Sequence, residues 1–170
     1  DTLMLQFEIP ADAIEASLKA AKAKRVTTII NTAPLTADAA RLSKLANIVI
    51  ANETEFELLI GKNGLSSSDR EKELSALHAE TGQTLIVTLG ADGVIAIRNG
   101  KLFKAMGLKI EPVDTVGAGD TFCGYLAASL DAGMDFEKAL RRVAVAGSLA
   151  CTREGAQPSI PIAADVDAKL

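Results

Sequence analysis

The residues best suited to chemistry lie in one stretch, Asp114-Thr115-Val116-Gly117-Ala118-Gly119-Asp120-Thr121-Phe122. Two glycines and an alanine leave the backbone uncovered at the point where an apolar spacing, Phe122, Leu126 and Leu130, predicts that a helix opens. The N–H groups of Gly117, Ala118 and Gly119 then lack intrahelical acceptors and face outward at the positive end of the helix dipole, which makes an anion site. Asp120 falls in the first turn beside them. A carboxylate placed among phosphate oxygens repels them unless it has a task, and accepting a proton from an attacking hydroxyl is such a task. A first-turn carboxylate is also favourable with the dipole alone. The Gly-x-Gly pattern is not a dinucleotide fingerprint, because Phe122 stands at the third glycine position, and no Gly-Lys-Ser/Thr follows for a P-loop.

Two further clusters sit at predicted strand ends. Asn52 and Glu55 are three apart across a helix start and share a face, a spacing that on its own reads as an N-cap pair. Thr88-Leu89-Gly90-Ala91-Asp92-Gly93 follows a strand and, taken alone, is a glycine turn.

The elements that must position these residues follow from periodicity. Strands are expected over 2–9, 26–30, 47–51 and 83–88, alternating with helices over 11–24, 37–45, 53–60 and 69–80, the last opened by a capping box from Ser68 to Glu71. Short runs over 94–98, 101–105 and 108–113, separated by Asn99-Gly100 and other turn residues, read as antiparallel hairpins at one edge of the sheet. Helices return at 118–132, 136–151 and near 162–169. Buried parallel strands covered by helices are the packing this pattern favours, an α/β fold in one domain over 1–170.

Composition bounds the partners. The chain has 170 residues with 18 Lys+Arg against 22 Asp+Glu, a formal charge of −4, and 4% aromatics with no Trp. That balance offers neither the cations that neutralise phosphate backbones nor platforms for stacked bases, so nucleic acid is not an expected partner. No apolar run approaches the roughly 20 residues that cross a bilayer, so no membrane association is expected. Cys123 and Cys151 make no disulfide framework and His78 is the single histidine, which fits a reducing, cytoplasmic setting without a structural zinc site. His78 and both cysteines are expected to have no catalytic role.

The segment 114–122 resembles the second signature of the ribokinase (PfkB-type) family of carbohydrate kinases, whose pattern runs Asp-Thr, small residues, Gly-Asp, then Thr/Ser-Phe. Asn52-Glu53-Thr54-Glu55, Thr88-Leu89-Gly90 with Gly93, and Arg153-Glu154-Gly155-Ala156-Gln157-Pro158-Ser159 recur in the family's order, and the resemblance runs from Leu3 to Ile162. It implies a three-layer α/β/α sandwich and ATP-dependent phosphorylation of a sugar, ribose before fructose, a keto-deoxy sugar acid or a nucleoside. On it, Asp120 is the base that deprotonates the primary hydroxyl, and Gly117, Ala118 and Gly119 hold the charge on the transferring phosphoryl group. It places Asn52, Thr88, Leu89, Gly90, Ala91, Asp92, Gly93, Gly119, Asp120 and Ala144 at the nucleotide, Glu8 and Asp120 at the sugar, and Glu55 near Mg²⁺, mainly through water. It also implies a monovalent cation, K⁺, at Asp114, Val116, Ala150, Arg153, Gly155 and Ser159.

One departure from that family is large. Its Gly-Gly-Lys-Gly-Ala-Asn-type sugar signature and the β-sheet lid that supports a homodimer have no counterpart here, and Leu3 to Phe7 read as a strand entered without a lead-in. The expectation is a C-terminal, nucleotide-binding portion that by itself binds ATP weakly and does not phosphorylate ribose. Two other classes compete: a non-catalytic nucleotide-binding or oligomerisation module, and a nicotinamide-dependent dehydrogenase, which the absent fingerprint disfavours.

Overall fold

The β-branched and aliphatic runs form strands. In the computed structural model, which describes residues 1–170, β1 (Thr2–Leu5), β2 (Thr27–Asn31), β3 (Ile48–Asn52), β4 (Thr84–Thr88), β5 (Val94–Arg98) and β6 (Lys101–Ala105) make one sheet in that spatial order. β1 to β4 are parallel, with Ile29 opposite Ile48 and Ile50 opposite Ile86. Each parallel step needs a crossover, and helices supply it: α1 (Ala11–Ala23), α2 (Ala39–Leu42) continued by a 3₁₀ turn over Ser43–Leu45, then α3 (Glu53–Leu59) and α4 (Ser67–Thr81). β5 and β6 follow links of residues 89–93 and Asn99-Gly100, far too short for parallel crossovers, so these strands reverse direction. Asn99 and Gly100 have φ of 51° and 74°, the left-handed pair that a tight hairpin demands.

The chain forms two compact units, residues 1–89 with 95–103, and residues 90–94 with 104–170. In the first, Ile30, Val49, Ala51, Leu85 and Val87 share a core with Ile14 and Leu18 of α1, Leu42, Phe56 and Leu74. The alternate residues Ile29, Ile48, Ile50 and Ile86 are buried as well, which explains why these strands read as continuous apolar runs. Buried Gln83 donates its amide to the carbonyls of Ser43 and Ala46 at 2.8 and 2.6 Å, capping the 3₁₀ turn. His78 bridges the Gln83 carbonyl (2.7 Å to Nδ1) and the Gly100 N–H (2.9 Å to Nε2). With Nε2 accepting and Nδ1 donating, the ring ties α4 to the hairpin turn.

Glu15 of α1 accepts from Lys19 Nζ and Arg41 Nη1, both at 2.6 Å, linking α1 to α2. These two bonds hold its carboxyl down to about 2 from the ordinary 4.5. A depressed folded-state pKa means stability that is present above the unfolded value and lost as pH falls through the folded one. Glu15→Gln is therefore expected to lower the urea midpoint at neutral pH, with the gap to the parent closing between pH 4.5 and about 2. A gap independent of pH across that window would show that the ion pairs contribute nothing.

The second unit contains α5 (Ala118–Asp131), α6 (Phe136–Ala150), α7 (Ala156–Ser159) and α8 (Ala163–Asp167). α5 and α6 pack through Leu126, Leu140 and Val143, all 0% exposed. Arg142 fastens α8: its Nε and Nη2 meet the Asp167 carboxylate at 2.7 and 3.2 Å, and its guanidinium lies 5.2 Å from the centre of the Tyr125 ring. The Tyr125 hydroxyl donates to the Pro161 carbonyl at 2.7 Å.

Several local expectations are corrected. The strand expected over 2–9 stops at Leu5, because the Gln6 side chain accepts the Glu8 N–H and donates to its carboxylate, both at 2.8 Å, turning the chain. Glu8 thus lies beyond the strand, not on it. α4 is capped by Ser66, whose hydroxyl accepts the Asp69 N–H, and not by Ser68. Residues 108–113 form no strand: the Leu108 N–H goes to Ser148 Oγ and the Val113 N–H to the Cys151 carbonyl, so α6 and its C-terminus take the donors a ladder would use. The helix expected over 37–45 begins at Ala39 and tightens to 3₁₀ at Ser43, and α7 has no counterpart among the expected elements.

Candidate active site

In the first unit the candidate residues gather at the C-terminal ends of the parallel strands, where α/β sheets bind ligands. Asn52 ends β3 and caps α3: its Oδ1 accepts the Glu55 N–H at 2.8 Å, and Glu55 Oε2 accepts the Asn52 N–H at 2.9 Å. The N-cap interpretation is therefore correct, and it does not exclude binding. The box uses only Oδ1 and Oε2, leaving Asn52 Nδ2 and Glu55 Oε1 to a ligand. Thr88, the last residue of β4, stands directly opposite Asn52 in the ladder, with Oγ1 3.5 Å from the Ala51 carbonyl. Leu89 is half-buried against the core, and Glu8 is exposed beyond the end of β1.

In the second unit, Gly90–Asp92 form a single 3₁₀ turn closed by Gly93 N–H to the Gly90 carbonyl at 3.2 Å. Gly93 has φ 86°, and a Cβ there would run into the Ala105 carbonyl, so no other residue fits without a shift of the backbone. Asp114 bridges two segments: one carboxylate oxygen accepts the Val116 N–H at 3.0 Å and the other accepts the Gly155 N–H at 2.8 Å. These two backbone donors, Val116 first, hold its carboxyl below the usual carboxylate range. Cys151 lies near enough that burial, then the Asp114 charge, pushes its thiol up, which leaves it an unreactive packing group.

Gly117, at φ 76° and ψ 0°, caps α5. The Ala118 N–H donates to the Thr115 carbonyl at 3.3 Å, and the first N–H to reach an α5 carbonyl partner is that of Thr121, to Gly117 at 2.9 Å. The N–H groups of Gly117, Gly119 and Asp120 meet no such acceptor, so of the three donors that the sequence suggests only that of Ala118 is taken. Nothing lies within 4 Å of where a Gly119 Cβ would sit, and Asp120 is exposed beside it. An accessible carboxylate and open N–H donors thus share one helix end.

The remaining candidates also belong to this unit. Val116 and Arg153 are exposed, Ala150 is 0% exposed, and Ser159 is buried with its hydroxyl donating to the Ala156 carbonyl at 2.8 Å. Ala144 is buried in α6, its carbonyl accepting from Ser148 Oγ at 2.9 Å. No three His, Cys, Asp or Glu side chains cluster as a metal site. Glu55 Oε1, which the capping box leaves unused, suits Mg²⁺ held through its waters by one carboxylate. Each Asp114 oxygen retains a lone pair after its N–H bond, so with nearby carbonyls it also fits a weakly held monovalent cation.

Two contacts carry no signal in the sequence. Thr32, 0% exposed, places its Oγ1 3.1 Å from Glu55 Oε2. Ala156 presses on the Gly117 turn, its Cα 2.9 Å from where a Gly117 Cβ would sit. Each pair is more than 20 residues apart in the chain, and no short-range pattern marks it. No helix is long and apolar enough to cross a membrane.

The sequence and the fold have known relatives. The chain is similar to a ribokinase of Haemophilus influenzae, 35% identical over 161 residues covering 95% of this chain and 53% of that protein. Its fold matches a ribokinase of Arabidopsis thaliana complexed with ribose and ATP, with a TM-score of 0.90, 30% identity, and coverage of 98% of this chain and 55% of the other. A ribokinase of Cryptococcus neoformans in complex with ADP gives a TM-score of 0.86 at 30% identity, covering 99% and 60%. The chain thus spans about half the length of the curated relatives it matches. The model for the pfkB family carbohydrate kinases matches residues 2–163, a span that takes in the strand-end cluster around Asn52 and Glu55 as well as the Gly117 to Asp120 turn, and the chain belongs to that family.

Proposed function

We propose that this chain is the nucleotide-binding portion of a ribokinase, which transfers the γ-phosphoryl group of ATP to O5 of D-ribose. The observation that carries this reading is the end of α5, where an exposed carboxylate, Asp120, adjoins the orphan N–H donors of its own residue and Gly119. Asp120 takes the proton of the sugar's primary hydroxyl as that oxygen attacks phosphorus, and the donors stabilise charge on the phosphoryl oxygens. Asn52 Nδ2 and the Thr88 hydroxyl supply donors for the phosphate chain, and the 90–93 turn receives the nucleoside. Mg²⁺, associated with Glu55 through water, neutralises phosphate charge when bound. K⁺ beside Asp114 steadies the turn that precedes α5. The names of the relatives support ribose as the sugar and ATP as the donor.

The test is ADP release by the full-length protein, with ribose or fructose as acceptor and with K⁺ replaced by Na⁺ at constant ionic strength. Ribose-dependent release that falls on the change to Na⁺ is expected. Nucleotide binding with no release on either sugar would replace this reading with a non-catalytic nucleotide-binding module.

A further inference from the structure

The Glu55 carboxylate is held from a direction the capping box does not require. Thr32 lies one residue past β2 and is 0% exposed, and its Oγ1 is 3.1 Å from Glu55 Oε2 and 3.2 Å from the Ile50 carbonyl. A hydroxyl has one proton for two acceptors. The Ile50 carbonyl already accepts the Thr32 N–H at 2.9 Å, and the carboxylate, being charged, is the stronger acceptor. Glu55 Oε2 also takes the Asn52 N–H at 2.9 Å. Two donors on one oxygen hold the plane of the carboxylate and leave the other oxygen, Oε1, without a partner.

We propose that Thr32 is a positioning residue for Glu55: its buried hydroxyl fixes the orientation of the carboxylate, whose free oxygen then meets the hydrated divalent cation of a metal–nucleotide complex. The proposal rests on the kinase reading above and extends it to a residue in no motif. Thr32→Val keeps the side chain's shape and removes the donor, whereas Thr32→Ser keeps the donor and removes a methyl group.

The experiment is calorimetric titration of ADP into the full-length protein and both variants, with and without Mg²⁺. The quantity read is the factor by which Mg²⁺ strengthens ADP binding. In Thr32→Val that factor is expected to fall about tenfold to a hundredfold, the range of one hydrogen bond to a charged group, with metal-free ADP affinity unchanged. Thr32→Ser is expected to retain the parent's factor. An unchanged factor in Thr32→Val overturns the proposal. So does a Thr32→Ser that behaves like Thr32→Val, and so does parallel loss of metal-free affinity, which would assign Thr32 to folding alone. If the parent protein itself binds no ADP, the kinase reading fails first, and the proposal falls with it.

Discussion

Asp120→Asn is expected to abolish most phosphoryl transfer, by about 10²–10⁴-fold in turnover, the usual contribution of a general base, while nucleotide affinity stays near that of the parent. The substitution is isosteric and occupies an exposed position in the first turn of α5, so it removes proton-accepting capacity without disturbing packing. It also removes a charge that favours the helix dipole, which costs about 0.3–1 kcal/mol of stability. These two effects separate the alternatives. If Asp120 is only a dipole partner, the variant loses a little stability and keeps its rate. If it is the base, melting changes slightly and turnover collapses. Single-turnover kinetics beside a thermal melt reads both. Near-parent turnover would remove Asp120 from the chemistry and with it the reading of the α5 terminus as a catalytic centre.

The donors that the proposed chemistry would use are backbone groups, which agrees with the composition. A net charge of −4 with few aromatics gives the chain no excess of cations for phosphate. It offers N–H groups without acceptors at a helix end, and an Asn–Glu cap pair that leaves Asn52 Nδ2 and Glu55 Oε1 unused. A helix terminus provides this without lysine or arginine, because the donors are fixed by the fold and cost nothing to orient.

How much of this was legible in the sequence depended on distance along the chain. The helix start within 114–122 was readable because its glycines, its first-turn carboxylate and the apolar spacing that follows are contiguous. The parallel strands were readable because both faces are buried and every residue of Ile48-Val49-Ile50-Ala51 is apolar. The 108–113 segment misled because an extended chain docked on a helix carries the same short apolar alternation as a strand, and only its donors' acceptors, Ser148 Oγ and the Cys151 carbonyl, distinguish the two. Ser66 and Ser68 offer equal capping chemistry, and the choice was made by where helical φ and ψ begin. The link from Asp114 to Gly155 spans 41 residues and that from Thr32 to Glu55 spans 23. Such links are products of the fold, and a lone threonine or aspartate after a strand carries no local mark of them.

Gly117→Ala is the other substitution with a large expected effect, and its cost has two sources. Gly117 sits at φ 76°, where an L side chain costs about 1–2 kcal/mol. Its Cβ would also lie 2.9 Å from the α-carbon of Ala156 and 3.0 Å from that residue's methyl group. The first clash is with backbone, so it is not relieved by a rotamer change, and overpacking of this kind costs about 1–3 kcal/mol. Either the unit loses that stability or the turn moves away from Ala156. If the turn moves, the Gly119 and Asp120 donors move with it, and losing one such donor costs about 10²–10³-fold in rate. Ala156→Gly in the same molecule removes only the clash with the methyl group and is expected to restore part of the loss, because the clash with backbone and the positive φ remain. Gly119→Ala is the internal comparison: no atom lies within 4 Å of its Cβ position, so it is expected to melt like the parent. Melting curves and turnover for the parent and these three variants check the argument. A Gly117→Ala protein with parent stability and parent rate would mean that the turn neither depends on its left-handed residue nor presses on Ala156, and that the donors of α5 are positioned by something else.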